Sequence, residues 1–377
     1  MSDMVIVFMG SPEFAVPSLE AVLAAGHAVA CVFTQPDRAR SRGRRLVPTP
    51  VKEFARSRGI RVLTPDTLKA REALAALRDA APDVIVVVAY GLLLPPEVLR
   101  LPKRGCINLH ASLLPRYRGA APIERAIMAG ERVTGVTTMY MAEGWDSGDI
   151  ILQEEVPVGE DVTAGELRKE LAVKGARLLA NTLALIESGD APRTRQNEMA
   201  ATRAPRMRPE EFQIDWSQPA RTIHNLVRAG NPKPGAFTRL NGALLKIYRG
   251  RLVDQPADIP TAWPTAQPAN QSADQRADQC AGGPASEPVS LSVNPAACRG
   301  AAVPGTVCGT TPDGFVVRTG DGFYLVLEVQ AEGGRRMPAA DYLRGHPVEP
   351  GTVLGNFSSF NVGTPRESGP GRLTLTP

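Results

Sequence analysis

Asn108 and His110 stand two residues apart where an apolar run, Gly105-Cys106-Ile107-Asn108-Leu109-His110, enters a Pro- and Gly-rich loop that continues to Ile123. Alternate residues of a strand share a face, so the amide and the imidazole project side by side at a strand end. One is an uncharged hydrogen-bond donor and the other titrates near neutral pH. Such a pair suits acyl-type transfer, in which donors stabilise an oxyanion. Ser112 lies close by, but no G-x-S-x-G elbow surrounds it and no triad partner is evident, so it reads as a loop serine. Cys106 alternates with Asn108 and reads as a buried core thiol, since nothing nearby suggests a depressed pKa. A third member of the site is offered by Glu143-Gly144-Trp145-Asp146-Ser147-Gly148-Asp149. Asp and Gly are ordinary turn residues. If this loop folds over His110, however, Asp146 would orient the imidazole and stabilise its protonated form, with Asp149 as the competing candidate.

Positioning such residues requires strands that end together. From Met4 to Ser188, short Val/Ile-rich runs alternate with helical patterns, the signature of a mostly parallel sheet covered by helices. The runs are Met4–Met9, Ala28–Phe33, Asp83–Tyr90, Gly105–Leu109 and Gly135–Met141. Asp83–Tyr90 is nearly all apolar, as a central strand buried on both faces must be, and is expected beside the site. Helices are predicted at Val16–Ala25, Thr49–Arg58, Leu68–Ala80, Pro122–Ala129 and Thr163–Glu187. Ligands of open α/β sheets bind at the carboxyl ends of strands, which directs attention to the loops after Met9, Tyr90, Leu109 and Met141. The first of these, Gly10-Ser11-Pro12-Glu13-Phe14, has one glycine where a dinucleotide fold would carry three, and Pro12 offers no N–H to a phosphate. A nicotinamide cofactor is not expected.

At 377 residues the chain exceeds what one core usually supports. Residues 189–209, rich in Pro, Arg, Thr and Ala, read as a linker. Short strand-like runs from Ala236 to Leu354, separated by turn residues, read as a small barrel or sandwich domain over 210–355. Within it, 254–302 holds few large aliphatic residues and reads as a disordered insertion, and 356–377 as a loose tail. Five irregularly spaced cysteines without a C-x-x-C pair argue against a disulfide framework and a zinc site. No apolar run approaches the roughly 20 residues that span a bilayer and no cleavable leader precedes Met4, so a cytoplasmic protein without a membrane partner is expected.

The net charge of +4 hides local asymmetry. Arg38, Arg40, Arg42, Arg44 and Arg45 crowd into one run, and Arg203 to Arg251 holds ten Lys/Arg against three acids. Two basic surfaces on two domains predict a large polyanion that spans both.

The first domain carries Phe8-Met9-Gly10-Ser11-Pro12-Glu13-Phe14-Ala15-Val16-Pro17, Thr34-Gln35-Pro36-Asp37-Arg38, Val86-Val87-Val88-Ala89-Tyr90-Gly91, Asn108 to Pro122, and Asp146-Ser147-Gly148-Asp149. Ile214-Asp215-Trp216-Ser217 and Asn231-Pro232-Lys233-Pro234-Gly235-Ala236-Phe237 mark the second domain. Together these motifs resemble the methionyl-tRNA formyltransferase family. The resemblance implies a Rossmann-like formyltransferase domain over 1–188 and an OB-like barrel that binds tRNA. It implies transfer of the formyl group of 10-formyltetrahydrofolate to the α-amine of methionyl initiator tRNA, with no metal. Asn108, His110 and Asp146 take the family's catalytic positions, and Ser112, Leu113, Leu114 and Pro115 its folate loop, with Tyr90 and Gly91 expected beside them. Arg38, Arg40, Arg42, Arg44 and Arg45 fall on the loop that grips the acceptor stem, and Lys233 and Lys246 are expected to reach the same tRNA. Where members carry an aromatic pair around Asn-Pro, this chain has Gly230 and Lys233. The alternative is a folate-dependent formyltransferase or 10-formyltetrahydrofolate hydrolase that acts on a small molecule; a non-catalytic RNA-binding protein is a third reading. A monomer is expected.

Overall fold

The computed structural model describes residues 4–40, 45–253 and 303–355. Arg42 and Arg44, the insertion expected at 254–302 and the tail expected at 356–377 lie outside the described residues. Contacts divide the chain into two units. One takes the chain up to Gln213 together with Arg221–Ala236, and the other takes Ile214–Ala220 and the chain from Phe237 onward.

In the first unit the order is β1 (Val5–Gly10), α1 (Val16–Ala24), β2 (Ala28–Phe33), β3 (Arg38–Arg40), β4 (Arg45–Val47), α2 (Pro50–Ser57), β5 (Val62–Leu63), α3 (Arg71–Ala80) and β6 (Val84–Val88). Then come α4 (Pro96–Leu99), β7 (Cys106–His110), α5 (Pro122–Met128), β8 (Val133–Tyr140), β9 (Ile150–Pro157) and α6 (Ala164–Ser188). Helix α7 (Ala220–Ala229) returns to this unit after its first residue. Seven strands form one sheet in the order β5-β2-β1-β6-β7-β8-β9, parallel as far as β7. Every residue of β6, Val-Ile-Val-Val-Val, is buried, because helices cover both faces of a parallel sheet. Each such side chain contributes about 1.5–3 kcal/mol. Helix α6 starts at a capping box in which Thr163 accepts from the Glu166 amide and Glu166 accepts from the Thr163 amide. It covers one face of β7, where Leu109 lies against Gly175.

Strands β8 and β9 depart from the parallel pattern. β8 runs antiparallel to β7, pairing Ile107 with Tyr140 and His110 with Thr137. The loop after β8 was expected at a carboxyl end beside His110, but it begins beside the start of β7. To reach His110 it must run back over about three strand residues, roughly 10 Å.

Residues 189–209, expected as a linker, run with the first unit. Thr194 exchanges backbone hydrogen bonds with Ile150, Thr202 accepts from the Arg118 amide, and Ala204 donates to Arg118 and accepts from Ala121. These bonds satisfy the segment's backbone groups.

The second unit contains β10 (Ala236–Leu240, entering at Phe237), β11 (Ala243–Val253), β12 (Val307–Thr311), β13 (Gly314–Arg318), β14 (Phe323–Ala331), β15 (Met337–Pro338) and α8 (Ala339–Gly345). The antiparallel order is β10-β11-β14-β13-β12, with β15 beside β14. Asn241 and Gly242, both at positive φ, make the tight turn between β10 and β11. Residues 352–355 bond to Gly305 and Val307 on one side and to Arg239 of β10 on the other. This bridges the sheet's edges into the OB-like barrel. Val253, Cys308, Val316, Phe323 and Leu325 form part of its core. Among the described residues, no helix is long and apolar enough to cross a membrane.

Candidate active site

Asn108 and His110 share the face of β7 opposite Leu109, at 8% and 6% exposure. Among the described residues the Asn108 amide has no side-chain hydrogen-bond partner. Each ring nitrogen of His110 faces an oxygen. Nε2 lies 2.9 Å from the Tyr117 carbonyl oxygen, which can only accept, so this nitrogen carries a proton. Nδ1 faces Asp146 Oδ2 at 3.7 Å. Cys106, next along the face, is a core thiol whose pKa burial pushes up to about 12.

The loop after β7 is fixed from beneath. Ser112 Oγ donates to the Arg116 carbonyl at 2.6 Å, and Thr137 Oγ1 donates to the Ser112 carbonyl at 2.6 Å. Thr137 also accepts from the Leu114 amide, and Gln153 donates to the Leu114 carbonyl. Ser112 and Leu114 are therefore turned inward, Leu114 packing with Met139 and Ile150, while Leu113 and Pro115 stay half-buried. Further along, Tyr117 donates its hydroxyl to Glu131 at 2.6 Å. Burial first, and Glu131 second, push the phenol up to about 12. Gly119 sits at φ +127, and a Cβ there would approach the Ala204 carbonyl oxygen to 2.6 Å. Only glycine admits both the conformation and the neighbour.

Asp146 reaches this site from the returning loop. Its φ of +49 is sparsely populated by residues other than glycine, though Asp tolerates it better than most. Oδ2 accepts from the Gly119 amide at 2.9 Å while facing His110. The loop's backbone is gripped by Gln196, whose Nε2 donates to the carbonyls of Asp146 at 2.8 Å and Gly148 at 2.7 Å. Gln196 Oε1 accepts from Arg118 Nε at 3.0 Å and Nη2 at 2.8 Å. Arg118 also bonds to Glu198 and holds that carboxyl below its ordinary value. Asp149, the competing candidate, lies 4.0 Å from Arg193 and supplies a backbone carbonyl to Tyr140.

At the end of β6, Ala89 and Gly91 take positive φ and turn the chain sharply. The Tyr90 carbonyl accepts from Ser11 and Gln35, tying this loop to those after β1 and β2. The Tyr90 side chain points away into the core with Leu94, Val98 and Cys106, and burial pushes its pKa up to about 12. Of these two positions, the backbone of Tyr90 and Gly91 is what lies at the strand end.

The basic residues fall in both units. Arg38, Arg40 and Arg45 belong to the β3–β4 hairpin, with Arg40 paired to Arg45. Lys233 is exposed in the first unit, and Lys246 is half-buried on β11 of the second. Arg228, counted with a basic surface, is buried at 6% and bonds to Asn225 and the carbonyls of Gly159 and Val162. Among the described residues, no group of three or more His, Cys, Asp or Glu side chains could hold a metal ion. Sequence reasoning missed Tyr117, Thr137 and Gln196. Thr137 sits in an apolar strand with no marking motif, and Gln196 lies where composition signalled only a linker.

A family model described as Formyl transferase matches residues 3–183, and one described as Formyl transferase, C-terminal domain, matches residues 206–347. The methionyl-tRNA formyltransferase of Moorella thermoacetica is 48% identical over 93% of this chain and 99% of that protein. That of Pelotomaculum thermopropionicum is 44% identical over 94% of this chain and 99% of its own length. Among solved structures, HypX from Aquifex aeolicus in complex with tetrahydrofolic acid matches 91% of this chain and 47% of that chain, with a TM-score of 0.57 at 19% identity. The sugar 3N-formyl transferase WlaRD, solved with dTDP and 5-N-formyl-THF, matches 87% and 98%, with a TM-score of 0.56 at 17% identity. At those identities the likeness is one of fold.

Proposed function

The chain belongs to the methionyl-tRNA formyltransferase family, and from that premise we propose that it transfers the formyl group of 10-formyltetrahydrofolate to the α-amine of methionyl initiator tRNA. The observation that carries this reading is that Asn108, whose amide has no side-chain partner among the described residues, shares a strand face with His110, which in turn faces Asp146. An α-amine has an ordinary pKa of about 7.7–8.0, so part of it is neutral and nucleophilic near pH 7 without a strong base. The amine nitrogen attacks the formyl carbon, the carbonyl oxygen becomes an oxyanion, and the bond from carbon to the folate nitrogen breaks. One proton leaves the attacking nitrogen and one reaches the departing nitrogen.

Asn108 donates to the oxyanion. His110 joins it when Nε2 exchanges the Tyr117 carbonyl for the developing charge, since hydrogen bonds at a free site often rearrange in the reacting complex. Asp146 orients the imidazole and takes part in the proton transfer. Leu113, Pro115 and the Gly91 backbone line the folate side, with Ser112, Leu114 and Tyr90 holding that wall in place. Arg38, Arg40, Arg42, Arg44 and Arg45, with Lys233 and Lys246, neutralise tRNA phosphates. In this reading 1–188 is the catalytic domain and 210–355 the tRNA-binding domain of a cytoplasmic monomer.

The test offers 10-formyltetrahydrofolate with charged initiator tRNA, charged elongator tRNA, glycinamide ribonucleotide or a nucleotide-linked amino sugar. Formylmethionyl initiator tRNA is the expected product. Formylation of a small amine in its place would contradict the reading.

A further inference from the structure

The Asp146 loop has a problem that the rest of the site does not. It begins beside the start of β7, where the Met141 amide donates to the Cys106 carbonyl, and its tip must still return to His110. Asp146 must nevertheless hold a left-handed conformation with Oδ2 3.7 Å from His110. We propose that Gln196 is a positioning residue for the reaction, a buried brace that fixes the Asp146 loop over His110.

Gln196 is 5% exposed, and its carboxamide is saturated. Both N–H groups donate into the loop, one to Asp146 and one to Gly148, and its oxygen takes two donors from Arg118. The orientation of this amide follows from its neighbours, because a guanidinium can only donate and a carbonyl can only accept. The brace therefore joins the two loops that meet at His110. Arg118 belongs to the segment that supplies Tyr117 to Nε2, and Asp146 to the one facing Nδ1. Gln196 touches neither His110 nor Asn108 through any hydrogen bond, and so acts through Asp146.

The kinetic arm of the test rests on the proposed formyl transfer. Gln196→Leu removes both donors at similar size, and Gln196→Glu keeps the length but turns a carboxylate oxygen toward two carbonyls. Both are expected to lower kcat about 10²-fold, the cost of misplacing a catalytic group by about 1 Å. The KM values for folate and charged tRNA should stay within about twofold. In an Asp146→Asn background Gln196→Leu should cost less than about threefold more, since its effect runs through the carboxylate already lost. A second readout needs no substrate: the Gly119 amide, which donates to Asp146 Oδ2, should exchange its hydrogen at least about tenfold faster in Gln196→Leu. Unchanged kcat in both variants, a cost retained in full without the Asp146 carboxylate, or unchanged Gly119 exchange would each overturn the proposal. Loss of the cooperative melt in both variants would make Gln196 a residue of the fold and overturn it as well. If the unaltered protein formylates no tRNA, the functional reading fails and Gly119 exchange alone decides the brace.

Discussion

Asn108 keeps an amide available at the site while several polar side chains near it are engaged elsewhere. Ser112, Thr137 and Gln196 spend hydrogen bonds on the two loops, the Tyr117 hydroxyl bonds to Glu131, and Arg118 bonds to Gln196 and Glu198. The division predicts different losses. Asn108→Ala should lower kcat by about 10²–10³, the usual cost of one oxyanion donor, with the tRNA KM nearly unchanged in steady-state assays. A rise confined to KM would mark Asn108 as a ground-state binding residue. Thr137→Val, which removes the hydroxyl joining Ser112 and Leu114, should raise the folate KM more than it lowers kcat, because it loosens the wall and leaves the donors in place. The pairing of Asn108 with His110 was legible from period-two spacing. The engagement of His110 Nε2 by the Tyr117 carbonyl was not, since it depends on a left-handed Tyr117 at φ +61 that no residue type announces.

Elements were read best where the pattern was longest. The central strand and α6 fall within a few residues of expectation, whereas β9, β5 and the β3–β4 hairpin carried too little periodicity to be found. The antiparallel turn at β8 was invisible for a physical reason: apolar content marks a strand's burial and not its direction. At the base of the basic hairpin, the buried Lys52 Nζ meets both carboxylate oxygens of Asp37 at 2.7 Å. Lys52→Met should cost about 1.5–3 kcal/mol, the range for hydrogen bonds to charged groups, measurable by denaturant unfolding. It should also raise the tRNA KM by releasing the strand that carries Arg38 and Arg40. Helix α7 supplies a pH test. Burial holds the His224 pKa below its ordinary 6.5, so below that value the unfolded chain binds the proton more readily than the folded one. Stability should be complete above the ordinary histidine range and fall as pH drops below it. His224→Gln should flatten that acid-side decline in thermal melts, and an unaltered slope would contradict the assignment.

For the whole molecule, residues 189–209 changed most between sequence and structure. Their Pro, Arg, Thr and Ala content read as an interdomain linker, and Gln196, Thr202 and Ala204 bond to the loops that carry Asp146 and Tyr117. The two fold classes were legible because alternating α/β patterns and short β runs differ in period. The placement of the basic residues was not: Lys233 falls in the first unit and Lys246 in the second. If Lys233 meets a phosphate, Lys233→Ala should weaken binding evenly across tRNAs and reduce the slope of log affinity against log salt by about one. An unchanged slope in filter binding would remove it from the tRNA surface. The account as a whole turns on where the formyl group goes. In a single turnover with 10-formyltetrahydrofolate and charged initiator tRNA, it predicts one formylmethionyl-tRNA for each tetrahydrofolate released; release of formate with the methionyl amine left unmodified would contradict it.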